Sequence, residues 1–333
     1  MKEKVEKQAK HRFRIILVIC LLVIAAAAAM VIILSLYGSH DGSGMDGEYQ
    51  EITWDGARYR YNDSILTCVV AGLDTEDSIK DVPSYTFAPR ADSIQLIILD
   101  TSTKQLKVLG LNRDIMTRIR KYTVDGLDRG LFTDHLALAY SYGNGGSASC
   151  RSLCEAVSLL LHQIPVQNCV AVNLEFPRAF ARCLGPVEVI VPDDTLGVID
   201  EQYQKGATAV IDETNVELYI RTRDHWSDHS NTDRMERQRS YIMAAGIKVL
   251  DQIKQNPLQI VSWIQDLKDT VYVHSDLKSI RTFLSRLSDI DYNRTEYLAL
   301  DGELTRGEFY EEFYPDQDAL MEFVLDTFYI RLD

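Results

Sequence analysis

Residues 219–242, YIRTRDHWSDHSNTDRMERQRSYI, concentrate five arginines, at 221, 223, 234, 237 and 239, in a chain whose net charge is −14. Arg221 and Arg223 alternate, and on an extended segment both side chains project to one side. Arg234 and Gln238 are four apart on the helix expected next, so they share a face. A guanidinium offers a planar fork to phosphate oxygens, and each charge-assisted bond contributes about 1.5–3 kcal/mol. Several converging would hold a pyrophosphate. The ordinary alternative is a solvated face on which Asp224, Asp228, Asp233 and Glu236 balance the cations. For Arg237 and Arg239 that alternative is the favoured reading.

Carboxylates supply a second chemistry. GLDTED puts Asp74 just after an apolar run, and RADSIQLIILD puts Arg90 and Asp92 just before another. If the two runs are neighbouring antiparallel strands, Asp74 and Asp92 reach the same edge of the sheet. Paired hard oxygens there suit Mg²⁺, which takes one or two carboxylates plus phosphate oxygens and water; the alternative is two solvated loop acids. In GLNRDIM, Arg113 and Asp114 follow the strand-like QLKVLG and so stand at a strand end, where α/β proteins place functional groups. A surface ion pair is the competing reading. His135, His225 and His229 have no local spacing that supports a metal or acid/base role.

The elements that must position these groups follow from periodicity. ILTCVVAGLD, DSIQLIILD and QLKVLGL have the length and β-branched content of buried strands, the last two joined by TSTK as a hairpin. TDHLALAYSYG, ended by GNGG, and SCRSLCEAVSLLLHQIP read as helices. NCVAVNL and VEVIVPD read as strands separated by the helical EFPRAFARCLG. Long helices are expected at about 232–254 and 276–288, and the end of the chain shows helical spacing at Leu320, Phe323, Val324 and Phe328. Helices alternating with apolar strands predict an α/β fold, an α-β-α sandwich around a central mixed sheet.

Outside this domain, residues 15–38 are free of charge, IILVICLLVIAAAAAMVIILSLYG, and long enough for a bilayer core of roughly 30 Å. The reading is a single retained transmembrane signal-anchor; a cleaved signal peptide is the alternative that the alanine run allows. Residues 1–14 form a basic tail, placed in the cytoplasm by the positive-inside rule, with everything after the anchor outside. Residues 39–51 read as a flexible stalk, 52–255 as the main folded domain and 256–333 as an extension packing on it. The first forty residues carry +4, so the remainder carries −18, which disfavours nucleic acid as a partner. Cys68, Cys150, Cys154, Cys169 and Cys183 are an odd set without zinc spacing and read as small buried residues, a Cys150–Cys154 bond being the alternative.

These pieces, in this order, resemble the LytR-CpsA-Psr family of bacterial cell-envelope proteins. The carriers are the single anchor and, within residues 66–246, GLDT, RADSIQLIILD, LGLNRDIM, LALAYSYGNGG, FARCLGPVEVIV and YIRTRD…NTDRMERQRSYI. The resemblance implies a membrane-anchored phosphotransferase that moves a glycopolymer, of teichoic acid or capsular polysaccharide type, from a polyprenyl-pyrophosphate carrier to peptidoglycan. It implies an apolar pocket for the lipid tail, a catalytic Arg113, Mg²⁺ on Asp74 and Asp92, and pyrophosphate contacts from Arg90, Arg113, Arg221, Arg223, Arg234 and Gln238. Asp92 or Asp114 would accept the acceptor's proton. The chain departs from the family pattern at Asn112 for proline, at Gly185-Pro186-Val187 for GGV and at Asn231 for aspartate. The interval from Asp74 to Asp92 also looks longer, with a lid-like insertion at EDSIKDVPSYTFA. A polyprenyl-pyrophosphate hydrolase and a non-catalytic envelope-lipid receptor are the competing functions, separated by their products.

Overall fold

The computed structural model describes residues 51–333 except 86–87, 223–229, 257–258, 276–278, 280–281, 284–285, 287–295 and 309. The expected basic tail, the 15–38 anchor, nearly all of the stalk and most of the 276–288 helix lie outside the described residues, as does Arg223. Among those described, no helix is long and apolar enough to cross a membrane.

Two compact units divide the described chain, one running to Asn173 and resuming from Tyr272 to Asp333, the other being Leu174–Val271. The first opens with strands β1 (Ile52–Trp54), β2 (Ala57–Tyr61), β3 (Ile65–Leu73), β4 (Ala91–Asp100), β5 (Gln105–Leu111), β6 (Met116–Tyr122) and β7 (Asp128–His135). Helices α1 (Leu138–Ser141) and α2 (Ser147–Leu160) and strand β8 (Asn168–Val172) complete that part. The second unit holds α3 (Phe176–Leu184), β9 (Val187–Ile190), β10 (Thr208–Ile211), α4 (Val216–Arg221), α5 (Ser230–Gln255) and α6 (Gln259–Leu267). The chain then returns through β11 (Val271–His274), β12 (Glu296–Ala299), β13 (Gly302–Arg306), β14 (Glu311–Pro315), α7 (Gln317–Phe328) and β15 (Tyr329–Arg331). The expected boundary at 255/256 falls between α5 and α6, inside the second unit.

The central sheet has six strands in the order β11-β8-β3-β4-β5-β12. It is mixed, because β3, β4 and β5 pair antiparallel while β8 joins β3, and β12 joins β5, in parallel. Continuous apolar runs make these strands interior on both faces. One face, with Val69, Ala71, Ile94, Leu96 and Leu109, packs against Leu153 and Val157 of α2 and Leu320, Val324 and Phe328 of α7 in one core cluster. The other face, with Cys68, Ile97, Leu99 and Val108, is equally buried. The C-terminal helix therefore docks on the sheet as its spacing predicts.

Two local departures from expectation bear on the site. The register of β3 against β4 shifts at the end of the pair, from Gly72↔Ser93 to Leu73↔Ala91, which leaves Asp92 unmatched. Such a bulge tilts one residue out of the ladder and re-aims its side chain. Gly72 permits it, since a Cβ there would already stand 3.3 Å from that of Ser93. The predicted TDHLALAYSYG helix also begins late: Thr133–His135 finish β7, and only Leu138–Ser141 are helical. Pairing with Met116, Thr117 and Arg118 of β6 overrides the local helical pattern.

Asp81, in the segment expected to be a lid-like insertion, is pinned over the start of α2. The Asp81 carboxylate accepts bonds from the backbone N–H of Ser147 at 2.7 Å, Asn144 Nδ2 at 2.8 Å and Tyr272 Oη at 2.7 Å. Burial pushes the Asp81 carboxyl up, but these bonds, led by the one from Tyr272, outweigh it and hold the group below the usual carboxylate range. A depressed carboxyl contributes stability above its unfolded pKa and loses it as pH falls through its folded value. Amide exchange in the first turn of α2 is therefore expected to accelerate as pH drops below about 4, and Asp81→Asn to abolish that acid dependence after correction for intrinsic exchange.

Candidate functional site

The ends of β3, β4 and β5 place five sequence-predicted groups, Asp74, Arg90, Asp92, Arg113 and Asp114, at one edge of the central sheet. Asp74, one residue past β3, accepts the backbone N–H of Arg90 at 2.6 Å on Oδ1 and Arg90 Nε at 2.9 Å on Oδ2, and its own N–H donates to the Arg90 carbonyl at 3.1 Å. The hydrogen bond and the charge of Asp74 raise the Arg90 pKa, so this guanidinium stays protonated at any working pH. Asp92, displaced by the bulge, stands 3.1 Å from Arg113 Nη1, and Asp114 Oδ1 lies 3.6 Å from Arg113 Nε. The Arg113 side chain is 48% exposed and that of Arg90 is 53% exposed. Both forks are thus oriented by carboxylates yet open to a ligand.

The backbone beneath Arg113 is clamped from three directions. Ala137 donates to the Arg113 carbonyl at 3.0 Å while its own carbonyl accepts the Ala91 N–H at 3.1 Å, so one residue ties the Arg113 loop to the start of β4. Leu136 donates to Ile115 O at 2.8 Å, and Phe313 of β14 donates to Asp114 O at 2.8 Å. Asn112, which stands where the family pattern has proline, accepts the Asp114 N–H on its side chain at 2.9 Å, and Ile115 N–H donates to its carbonyl at 3.1 Å. An asparagine side chain bonded two residues on shapes the turn that proline would otherwise preset. Asn112→Ala is expected to lower stability by about 1 kcal/mol, or roughly 2 °C in Tm, measurable by thermal unfolding.

The donor set at this edge can be tested for a metal. No cluster of three or more His, Cys, Asp or Glu exists among the described residues. Mg²⁺ does not need one, since it commonly uses one or two protein carboxylates and completes its shell with water and phosphate. Asp92 gives one oxygen to Arg113, and Asp74 keeps lone pairs beyond its two bonds to Arg90. Both carboxylates thus keep oxygen lone pairs of the kind such an ion takes.

The second unit carries the rest of the predicted set and corrects two expectations. Arg221 is the last residue of α4, so it leaves a helix rather than an extended segment. Its guanidinium meets Glu217 Oε1 at 3.1 Å and the Leu174 carbonyl at 2.5 Å, and its side chain is 39% exposed. Arg234 and Gln238 do share a face of α5 as expected. Gln238 Nε2 donates to the Ile220 carbonyl at 2.8 Å. Arg237, by contrast, is not on a solvated face. Its side chain is 0% exposed, with Nη1 2.6 Å from Asp193 Oδ1, Nε donating to Tyr219 O at 2.9 Å and Nη2 donating to Thr222 O. The missed signal was its place at the head of a buried four-residue stripe, Tyr241, Ala245 and Val249. The side chains of Asn231 and Arg239 lie outside the described residues.

Remaining candidates sort quickly. His135 is spent structurally, with Nε2 3.0 Å from the Glu311 carbonyl and Nδ1 3.3 Å from Asp134; His225 and His229 lie outside the described residues. The five described cysteines are free thiols, including Cys150 and Cys154 on α2. A cavity of about 390 Å³ in the second unit is lined by Pro186, Val187, Glu188, Ile247, Lys248 and Asp251 among others, and by none of the predicted headgroup residues.

Residues 37–325 match the family model described as LytR_cpsA_psr family. Among curated proteins no sequence match is found. Solved structures share the fold. TagT bound to LI-WTA aligns at TM-score 0.55 and 20% identity over 86% of this chain and 98% of that one. Protein gbs0355 from Streptococcus agalactiae aligns at TM-score 0.57 and 16% identity over 79% and 88%, and TagU from B. subtilis at 0.52 and 16% over 79% and 95%.

Proposed function

The chain belongs to the LytR-CpsA-Psr family, and from that premise we propose that it is a phosphotransferase that moves a cell-wall glycopolymer from a polyprenyl-pyrophosphate carrier onto peptidoglycan. The observation that carries the reading is the edge cluster in which Arg113, oriented by Asp92 and Asp114, stands on the same strand ends as the Asp74–Arg90 pair. The LI-WTA held by one structural neighbour supports the polymer class. Residues 15–38 would anchor the protein, with the acidic domain outside the membrane.

In this reaction an acceptor sugar hydroxyl attacks the sugar-linked phosphorus. The new P–O bond forms as the phosphoanhydride bond breaks, and the lipid phosphate departs with the electron pair. Arg113 and Arg90 present preorganised forks to the charge that develops on the phosphate oxygens, an electrostatic contribution that needs no covalent chemistry from the protein. Asp114, only loosely held by Arg113 at 3.6 Å, accepts the hydroxyl proton. Asp74 and Asp92 would hold Mg²⁺, which when bound neutralises phosphoanhydride charge. Arg221, Arg223, Arg234 and Gln238 match the family's pyrophosphate-contacting set and are assigned to the headgroup on that ground.

The full-length chain in detergent, given a synthetic polyprenyl-pyrophosphate sugar and peptidoglycan, is expected to release lipid monophosphate and to leave sugar covalently on the peptidoglycan. Release without attachment would assign a hydrolase, and binding without release a receptor; either outcome replaces the proposal.

A further inference from the structure

A guanidinium taken wholly out of water is costly unless its charge is matched and its donors are used. Arg237 meets both conditions. Asp193 matches its charge, and its other two arms end on the carbonyls of Tyr219 and Thr222. The next residue, Gln238, donates to the carbonyl of Ile220. Side chains from one turn of α5 thus bond three backbone carbonyls that flank Arg221 on both sides.

That arrangement answers a local problem. With six residues, α4 is too short to hold itself, and the carbonyls of its last turn have no partners within the helix. Arg237 and Gln238 supply those partners. A second rivet is the buried Tyr219, whose hydroxyl is 2.6 Å from Ser240 Oγ, one turn further along α5. The backbone from which Arg221 projects is therefore held by α5 in addition to the few bonds α4 makes itself.

We infer that Arg237, locked by Asp193, is a positioning residue that aims the Arg221 guanidinium at an anionic phosphate headgroup; this rests on the headgroup assignment made above. Arg237 itself cannot touch a ligand, since no part of its side chain reaches the surface. Its effect on binding is therefore indirect, through the backbone that carries Arg221.

Arg237→Lys keeps the charge against Asp193, but a single ammonium cannot span Asp193 and two divergent carbonyls. KM and kcat for the synthetic polyprenyl-pyrophosphate sugar are to be measured on the full chain in detergent, for wild type, Arg237→Lys, Arg221→Ala and the double variant. Each single variant is expected to raise KM about tenfold with kcat little changed, and the double variant to match Arg221→Ala alone, because both remove one interaction. Additive effects, or an unchanged KM in Arg237→Lys, overturn the inference. Amide exchange across residues 219–222 reads the clamp without substrate and should be about tenfold faster in Arg237→Lys, well below the unfolding temperature. If wild type releases no lipid phosphate, the functional assignment falls, and exchange alone decides: faster exchange sustains the clamp, and unchanged exchange overturns it. Asp193→Asn, which leaves the shape intact, is the second variant should Arg237→Lys fail to fold, with the same outcomes.

Discussion

Arg113→Ala is expected to lower turnover of a polyprenyl-pyrophosphate sugar by about a thousandfold or more while leaving the fold intact. Two features of the site separate these effects. The Arg113 side chain is half exposed and its pairs with Asp92 and Asp114 are open to solvent, and exposed ion pairs contribute about 0–1 kcal/mol. Its loop is held by backbone bonds from Leu136, Ala137 and Phe313 that the substitution does not touch. The loss should therefore fall on kcat, with Tm moving by no more than about 2 °C. Arg113→Lys keeps the charge but loses the second arm of the fork, so it should recover only part of the activity. Single-turnover release of lipid monophosphate beside thermal unfolding checks both halves, and an Arg113→Ala protein that turns over like wild type removes the edge cluster from the mechanism.

The strands that build this edge were legible because burial on both faces leaves continuous apolar runs. ILTCVVAGLD, DSIQLIILD and QLKVLGL became β3, β4 and β5 with the TSTK hairpin where expected. Once β3 and β4 are antiparallel neighbours, Asp74 and Asp92 must share an end, and they do. The bulge at Asp92 could not be read, because register depends on what packs against both strands and not on either alone. β7 was hidden for a similar reason: Thr133–His135 pair with β6 against a local helical pattern. Arg237 was hidden by its type. A charged residue amid Asp233 and Glu236 looks solvated, and only the distant Asp193 explains its burial. The carboxylate edge was thus inferable from local pattern plus one topological condition, whereas the buried clamp depended on a contact between residues 44 positions apart.

The second large effect concerns the carboxylates and a divalent cation. Chelation of divalent metal is expected to reduce turnover by about a hundredfold or more, restored by Mg²⁺, as befits a cation that offsets charge at the breaking phosphoanhydride. The two carboxylates should respond differently when substituted. Asp92 is displaced by the bulge and gives Arg113 a single contact, so Asp92→Asn removes a proposed metal ligand and one orienting charge while the strand ladder stays. Its activity should fall about a hundredfold, and more Mg²⁺ should be needed for half-maximal rate. Asp74 additionally grips the backbone and guanidinium of Arg90, so Asp74→Asn should weaken Mg²⁺ response and substrate affinity together. A Mg²⁺ titration of wild type and both variants, read by rate and by the metal-induced rise in Tm, distinguishes the roles. If Mg²⁺ raises Tm in Asp74→Asn and Asp92→Asn as much as in wild type, the ion binds elsewhere and these carboxylates serve only to orient Arg90 and Arg113.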